Sequence, residues 1–152
     1  MLIGNGLLNV IETSLLAHCK SLATAINNTL GYTFKMEYFE GYTYDEVLPQ
    51  QDIIGPWKLE LEVDEKIVSG TFLITLSTLN DSGCFRLRNA ISLVFDDLKP
   101  MREIPLFQPD GTPLQGSLVI LTGGSMLPME EGLSRPAKTL ALPFKCTRTI
   151  GL

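Results

Sequence analysis

The chain is poor in the residues from which most active sites are built. Its 152 residues include one histidine, one tryptophan and three cysteines. With a single imidazole, a nucleophile has only His18 as its histidine base, and Ser125 lacks the G-x-S-x-G surroundings of an activated serine. His18 has no acid or cysteine at a ligating helical spacing other than its own neighbour, so it is expected at the boundary of a helix stripe and not as a metal ligand. Asp96-Asp97 and Glu130-Glu131 are adjacent acids, which point apart on a helix or strand and do not converge on one bond. Gly4-Asn5-Gly6 has Asn9 where a dinucleotide loop has its third glycine, and Gly123-Gly124-Ser125 lacks the lysine and helix that a phosphate cradle needs. No catalytic residue, cofactor or metal is expected.

Other absences bound the setting. Cys19, Cys84 and Cys146 are far apart and odd in number, and each falls in an apolar pattern, so reduced core thiols in a reducing compartment are expected. No apolar run approaches the roughly 20 residues that span a bilayer, and the start lacks the basic region of a signal peptide. A soluble, unexported chain with no membrane partner is the expectation. Basic charge is also scarce: 12 Lys and Arg against 17 Asp and Glu leave a net charge of −5, with no basic stripe to follow a nucleic acid. Sequence-specific nucleic-acid binding is not expected.

What is present is strong apolar patterning. Thr71 to Leu79 is uncharged and rich in β-branched and aromatic residues, with apolar groups on both faces, as in a strand inside a sheet. Asn80 to Gly83 break it, and Asp81 or Ser82 is placed to cap a helix. Cys84, Leu87, Ile91, Val94, Phe95 and Leu98 then recur every three or four residues until Pro100. An earlier helix carries the stripe Leu8, Ile11, Leu15, Cys19, Leu22 and Ile26, and ends at Asn27, Asn28 and Gly31.

Alternation predicts a half-exposed strand over 32–40 and a clearer one over 57–63, where Trp57, Leu59, Leu61 and Val63 oppose Lys58, Glu60 and Glu62. Asp64, Glu65 and Lys66 supply a reversal into the central strand. Residues 104–114 carry three prolines and a Pro109-Asp110-Gly111 turn, the composition of a projecting arm. Leu118 to Leu121 form another buried strand, and Leu140, Leu142, Phe144 and Cys146 share one face of the last, whose Pro143 suggests an edge or a bulge. The sum is one α+β domain over 1–152. A single mixed or antiparallel sheet of about five strands carries two amphipathic helices and long projecting loops.

Contact with partners is expected in the loops and at the charged strands. Residues 41–56 are long for a connection and unusually apolar, through Tyr42, Tyr44, Val47, Leu48, Ile53 and Ile54. Residues 122–136 form a second long connection. Acids crowd 37–65, including Glu60 and Glu62, whereas 135–148 holds Arg135, Lys138, Lys145 and Arg148 without an acid. Solvated strand faces explain such a split, and so do head-to-tail contacts between copies. Phe107 and Asp110 on the arm complete the candidate contact set.

The order of elements resembles that of the tail terminator proteins of long-tailed bacteriophages of the lambda type. The matching pieces are LLNVIETSLLAHCKSLATAI, WKLELEV with GTFLITLST, CFRLRNAISLVFDDL, SLVILT and TLALPFKCTRT. They cover nearly all of the chain and match in order and size, without a diagnostic residue motif. The resemblance implies a virion structural protein: a homo-oligomeric ring, hexameric in that family, that caps the tail tube, stops its growth and joins the head-side connector. Its partners would be the tail tube protein and a head–tail connector protein, and it would be assembled in the host cytoplasm. Related neck or tail-completion proteins are neighbours of the same resemblance, and alternatives in other classes are a monomeric ligand-binding protein or enzyme with an unmarked pocket, and an adaptor in another secretion or contractile assembly.

Overall fold

The computed structural model describes residues 4–37, 50–121, 125–127 and 135–149. Residues 38–40 of the first expected strand, the stretch holding Tyr42, Tyr44, Val47 and Leu48, and Gly123-Gly124 lie outside them.

Helix α1 (Gly4–Leu30) buries Ile11, Leu15, Cys19, Leu22 and Ile26, as the stripe requires. Leu8 is only half-buried, because the helix is turned so that Leu7, Val10, Ser14 and His18 share the inner face. Past its end Gly31 takes φ 72°, a left-handed conformation open to glycine, and its amide donates to the Asn27 carbonyl at 2.9 Å. The Asn27 side chain donates to the Phe34 carbonyl at 2.9 Å and accepts from its amide at 2.7 Å, turning the chain back toward the sheet. Strand β1 (Lys35–Met36) follows and pairs in parallel with β2 (Ile53–Asp64).

Strand β2 starts earlier than its charge alternation suggests. Ile53 and Ile54 belong to the strand and are fully buried, so they are not loop residues offered to a partner. Their apolar character serves the subunit's own interior. Strand β2 turns through Glu65 and Lys66 into antiparallel β3 (Ile67–Ser77). A 3-10 turn at Ser82–Cys84 leads into α2 (Phe85–Asp97), then β4 (Glu103–Phe107), β5 (Pro113–Ile120), β6 (Ser125–Leu127) and β7 (Ala137–Cys146).

The strands form one mixed sheet in the order β1-β2-β3-β7-β5-β4, with β6 also paired to β7. Two helices on such a sheet make an α+β fold, with seven strands among the described residues where the patterning gave about five. The extra strands are β4, in the arm, and the short β6, while β1 lies within the strand expected over 32–40. The arm is a hairpin, β4 against β5, at the edge of the sheet as its prolines require. Strand β7, by contrast, is interior. One of its sides pairs with β3; the other pairs with β6 through Thr139–Ala141 and with β5 through Phe144–Cys146. Pro143 is tolerated because its carbonyl points away from β3 and accepts from the Leu121 amide at 3.0 Å. The amide that proline lacks would lie on that same side, in the gap between β6 and β5.

Both helices pack on one face of the sheet. Phe72, Ile74 and Leu76 of β3, Leu140, Leu142, Phe144 and Cys146 of β7, and Leu118 and Ile120 of β5 form one core with α1 and α2. Each such side chain contributes about 1.5–3 kcal/mol of burial.

Candidate subunit-contact surfaces

Two polar clusters tie the helices to the sheet. At the start of α2 the Asp81 carboxylate accepts from the amides of Arg86 at 3.2 Å and Leu87 at 3.0 Å and from the Thr78 hydroxyl at 3.0 Å. It caps the helix across the intervening 3-10 turn. Burial opposes its charge, but the Leu87 and Arg86 amides, Thr78 and the Arg86 guanidinium outweigh that and hold the carboxyl below its usual range. Arg86 then reaches back to Asp52, with Nε 2.9 Å from Oδ2, and Nη2 donates to the Leu79 carbonyl at 2.6 Å. This pair lines an open cleft of about 360 Å3 with Tyr32 and Gln51. Asp52 also accepts from the Leu79 amide at 3.0 Å, so the pair braces the end of β3 against α2.

The second cluster is His18 with Asp97. The ring Nε2 lies 2.8 Å from Asp97 Oδ2 and joins α1 to the last turn of α2, while Arg102 stands 3.8 Å from Oδ1. The hydrogen bond to His18 holds the Asp97 carboxyl below the usual carboxylate range. His18 is therefore buried and paired, where the sequence suggested a boundary residue. Nothing in the sequence signals the pair, whose members are 79 positions apart. A cleft of about 310 Å3 opens beside it between α1 and β4, lined by Ser14, His18, Ser21, Arg102 and Phe107. Ser14 is already committed, donating to the Val10 carbonyl and accepting from the Phe107 amide at 2.9 Å. No group of three metal-ligating side chains occurs among the described residues.

The thiols are placed for packing. Cys19 and Cys146 are buried, and burial pushes the Cys19 thiol up to about 12 and raises that of Cys146. Cys84 is half-buried, in the left-handed residue just before α2.

The outward surfaces are of two kinds. The first is a pair of hairpin ends. Strand β5 pairs with β7 only through Leu118–Ile120, so the β4–β5 hairpin runs past the end of β7. It is braced there by Thr147, whose Oγ1 accepts from the Ser117 amide at 2.8 Å, and by Arg148, whose Nη1 donates to the Gln115 carbonyl at 3.2 Å. Arg148 is thus half-buried and engaged, while Asp110 is exposed in the turn and holds the Thr112 amide at 2.9 Å. Phe107 is half-buried against α1. At the same end of the sheet the β2–β3 hairpin leaves Val63 54% and Ile67 41% exposed among Glu62, Asp64 and Glu65. Large apolar groups at such a tip do nothing for the fold.

The second surface is the sheet face without helices. Directly paired residues on neighbouring strands share a face. The registers set out the row Glu62, Ser69, Lys145, Val119 and Glu103 across β2, β3, β7, β5 and β4. The next rows are Glu60, Thr71 and Pro143, then Lys58, Leu73 and Ala141. Glu60, Glu62 and Lys145 are exposed, and Ser69, Thr71, Leu73, Ala141, Pro143 and Val119 are half-buried. Toward the other end of the same face Ile53, Thr75, Ser77 and Thr139 are buried, with Thr75 and Thr139 hydrogen-bonded at 2.7 Å. The acids and Lys145 therefore occupy one face, two strands apart, and not opposite ends of the subunit.

No protein-family model matches the chain, and no curated protein matches it significantly.

Proposed function

We propose that the chain is a structural subunit that works by self-association, a tail-terminator-like ring protein. It would cap a phage tail tube, stop tube growth and join the head-side connector. The observation that carries this reading is the pair of hairpin ends at one end of the sheet. Exposed Val63 and Ile67 sit on one, and the braced arm with Phe107 and Asp110 forms the other. An exposed apolar tip framed by acids, beside a braced polar turn, suits repeated contact with identical neighbours, and head-to-tail contacts of that kind close into rings. The element order set out from the sequence supports the same reading.

Negative-stain microscopy of the purified chain, with and without tail tubes, tests the proposal. Rings, six-fold in the family it resembles, that seat on tube ends are the expected result. A monomer at micromolar concentration that ignores tail tubes would overturn it. One observation favours a second reading, a ligand-binding protein or enzyme: the cleft beside His18, Asp97 and Arg102. That reading predicts saturable small-molecule binding lost in His18→Ala.

A further inference from the structure

We infer that the helix-free face of the sheet pairs with the same face of a second copy about a two-fold axis running along β3. This contact differs from the hairpin ends and does not rest on the ring reading. Its basis is the order of charge along one row: negative at Glu62 on β2, neutral at Ser69 on β3, positive at Lys145 on β7, neutral at Val119 on β5, negative at Glu103 on β4.

A two-fold axis in the plane between two facing sheets reverses the strand order of one over the other. With the axis on β3, Glu62 of each copy lies over Lys145 of the other, giving two opposite-charge contacts. Ser69 meets Ser69 at the centre. The same placement lays Glu60 over Pro143 and Lys58 over Ala141, and brings Leu73 and Thr71 against their own copies. Other axes do worse. On β7, Lys145 would face itself and Glu62 would face Glu103; on β2, Glu62 would face itself. Midway between β3 and β7, neither Glu62 nor Lys145 gains a charged partner. On β5, Lys145 would meet Glu103, but Thr71 and Leu73 would stay in water. Facing sheets pack about 10 Å apart, within reach of Glu and Lys side chains extending from both. An axis along β3 keeps the two sets of strands near parallel, within the range of aligned sheet packing, and the charged contacts fall on either side of a central strip. Neither of the described helices lies over the half-buried, uncharged residues of that strip.

The test uses the whole chain. Glu62→Lys and Lys145→Glu each replace two attractive contacts by two repulsive ones, and each is expected to weaken pairing at least about tenfold in sedimentation analysis. The double variant Glu62→Lys/Lys145→Glu restores it. Circular dichroism of each variant shows that these exposed substitutions leave the fold intact. In a Cys84→Ser background, Ser69→Cys treated with a bismaleimide spanning about 10 Å is expected to give covalent dimers and nothing larger, because each Ser69 meets one other. The inference is overturned by a wild-type chain still monomeric at about 100 µM, a concentration at which even a modest interface with a Kd of roughly tens of micromolar is substantially formed. It is equally overturned if oligomers form without cross-linking at position 69, or if pairing depends on Glu103 and not on Glu62. Rings without Ser69 dimers would remove the pairing alone, and dimers that form no ring and ignore tail tubes would remove the ring alone.

Discussion

Asp81 shows how much can depend on one carboxylate. It holds two amides of α2 and a threonine hydroxyl while itself buried. Asp81→Ala is expected to cost about 2 kcal/mol at neutral pH, from the lost cap and the stranded amides, as measured by urea unfolding. The pH dependence follows from the lowered carboxyls of Asp81 and Asp97. A depressed folded-state pKa gives stability that is fully present above the unfolded value of about 3.9 and is lost as pH falls through the folded value. The wild type is therefore expected to lose stability mainly below about pH 4, and Asp97→Asn or Asp81→Asn to flatten that acid limb. The sequence placed Asp81 at the helix start, since an acid before a periodic apolar run is a local signal. The Arg86–Asp52 pair, and the pairing of His18 with Asp97, were not legible. They join positions brought together only by the tertiary fold. Cysteine placement gives a further prediction: in the native protein a thiol reagent at neutral pH modifies Cys84 first, and Cys19 and Cys146 react only on unfolding.

At the scale of elements, the boundaries that local patterning missed are those where burial on both faces hides the period. Ile53 and Ile54 looked like loop residues because no alternation marks a strand buried on both sides. Pro143 suggested an edge strand, although its missing amide falls in the gap between β6 and β5. The one-sided patterns of α1, α2 and β7 were legible because each buries one face against a single core, and β3 was legible because its uncharged β-branched and aromatic run marks an interior strand. Gly55 is a close-approach position: a Cβ there would lie 1.5 Å from the Glu37 carbonyl oxygen. Gly55→Ala is therefore expected to displace β1 from β2, lowering stability by about 2 kcal/mol or more and speeding amide exchange at Lys35–Glu37. The hairpin tips behave oppositely. Val63→Ser and Ile67→Ser, exposed as they are, are expected to shift stability by less than about 0.5 kcal/mol while weakening assembly, seen as loss of the largest species in native mass spectra. A deletion reaching into Ile53 and Ile54, in contrast, removes core and unfolds the subunit.

For the whole molecule, the one-sided layering is the feature on which the proposed self-association rests. Both helices lie on one face of the sheet, the other face carries an ordered row of charge, and two hairpins end together. The sequence disclosed the charge split, because acids and bases are segregated along the chain. It could not disclose that Glu62 and Lys145 would share a face, since that depends on β3 lying between β2 and β7 in the sheet. Self-association is the claim on which the functional proposal stands, and native mass spectrometry of the intact chain at tens of micromolar, near physiological salt, tests it most directly. A discrete oligomer that loses its largest species in Val63→Ser/Ile67→Ser is the predicted result. A monomer across that range, unchanged by the substitutions, would contradict it.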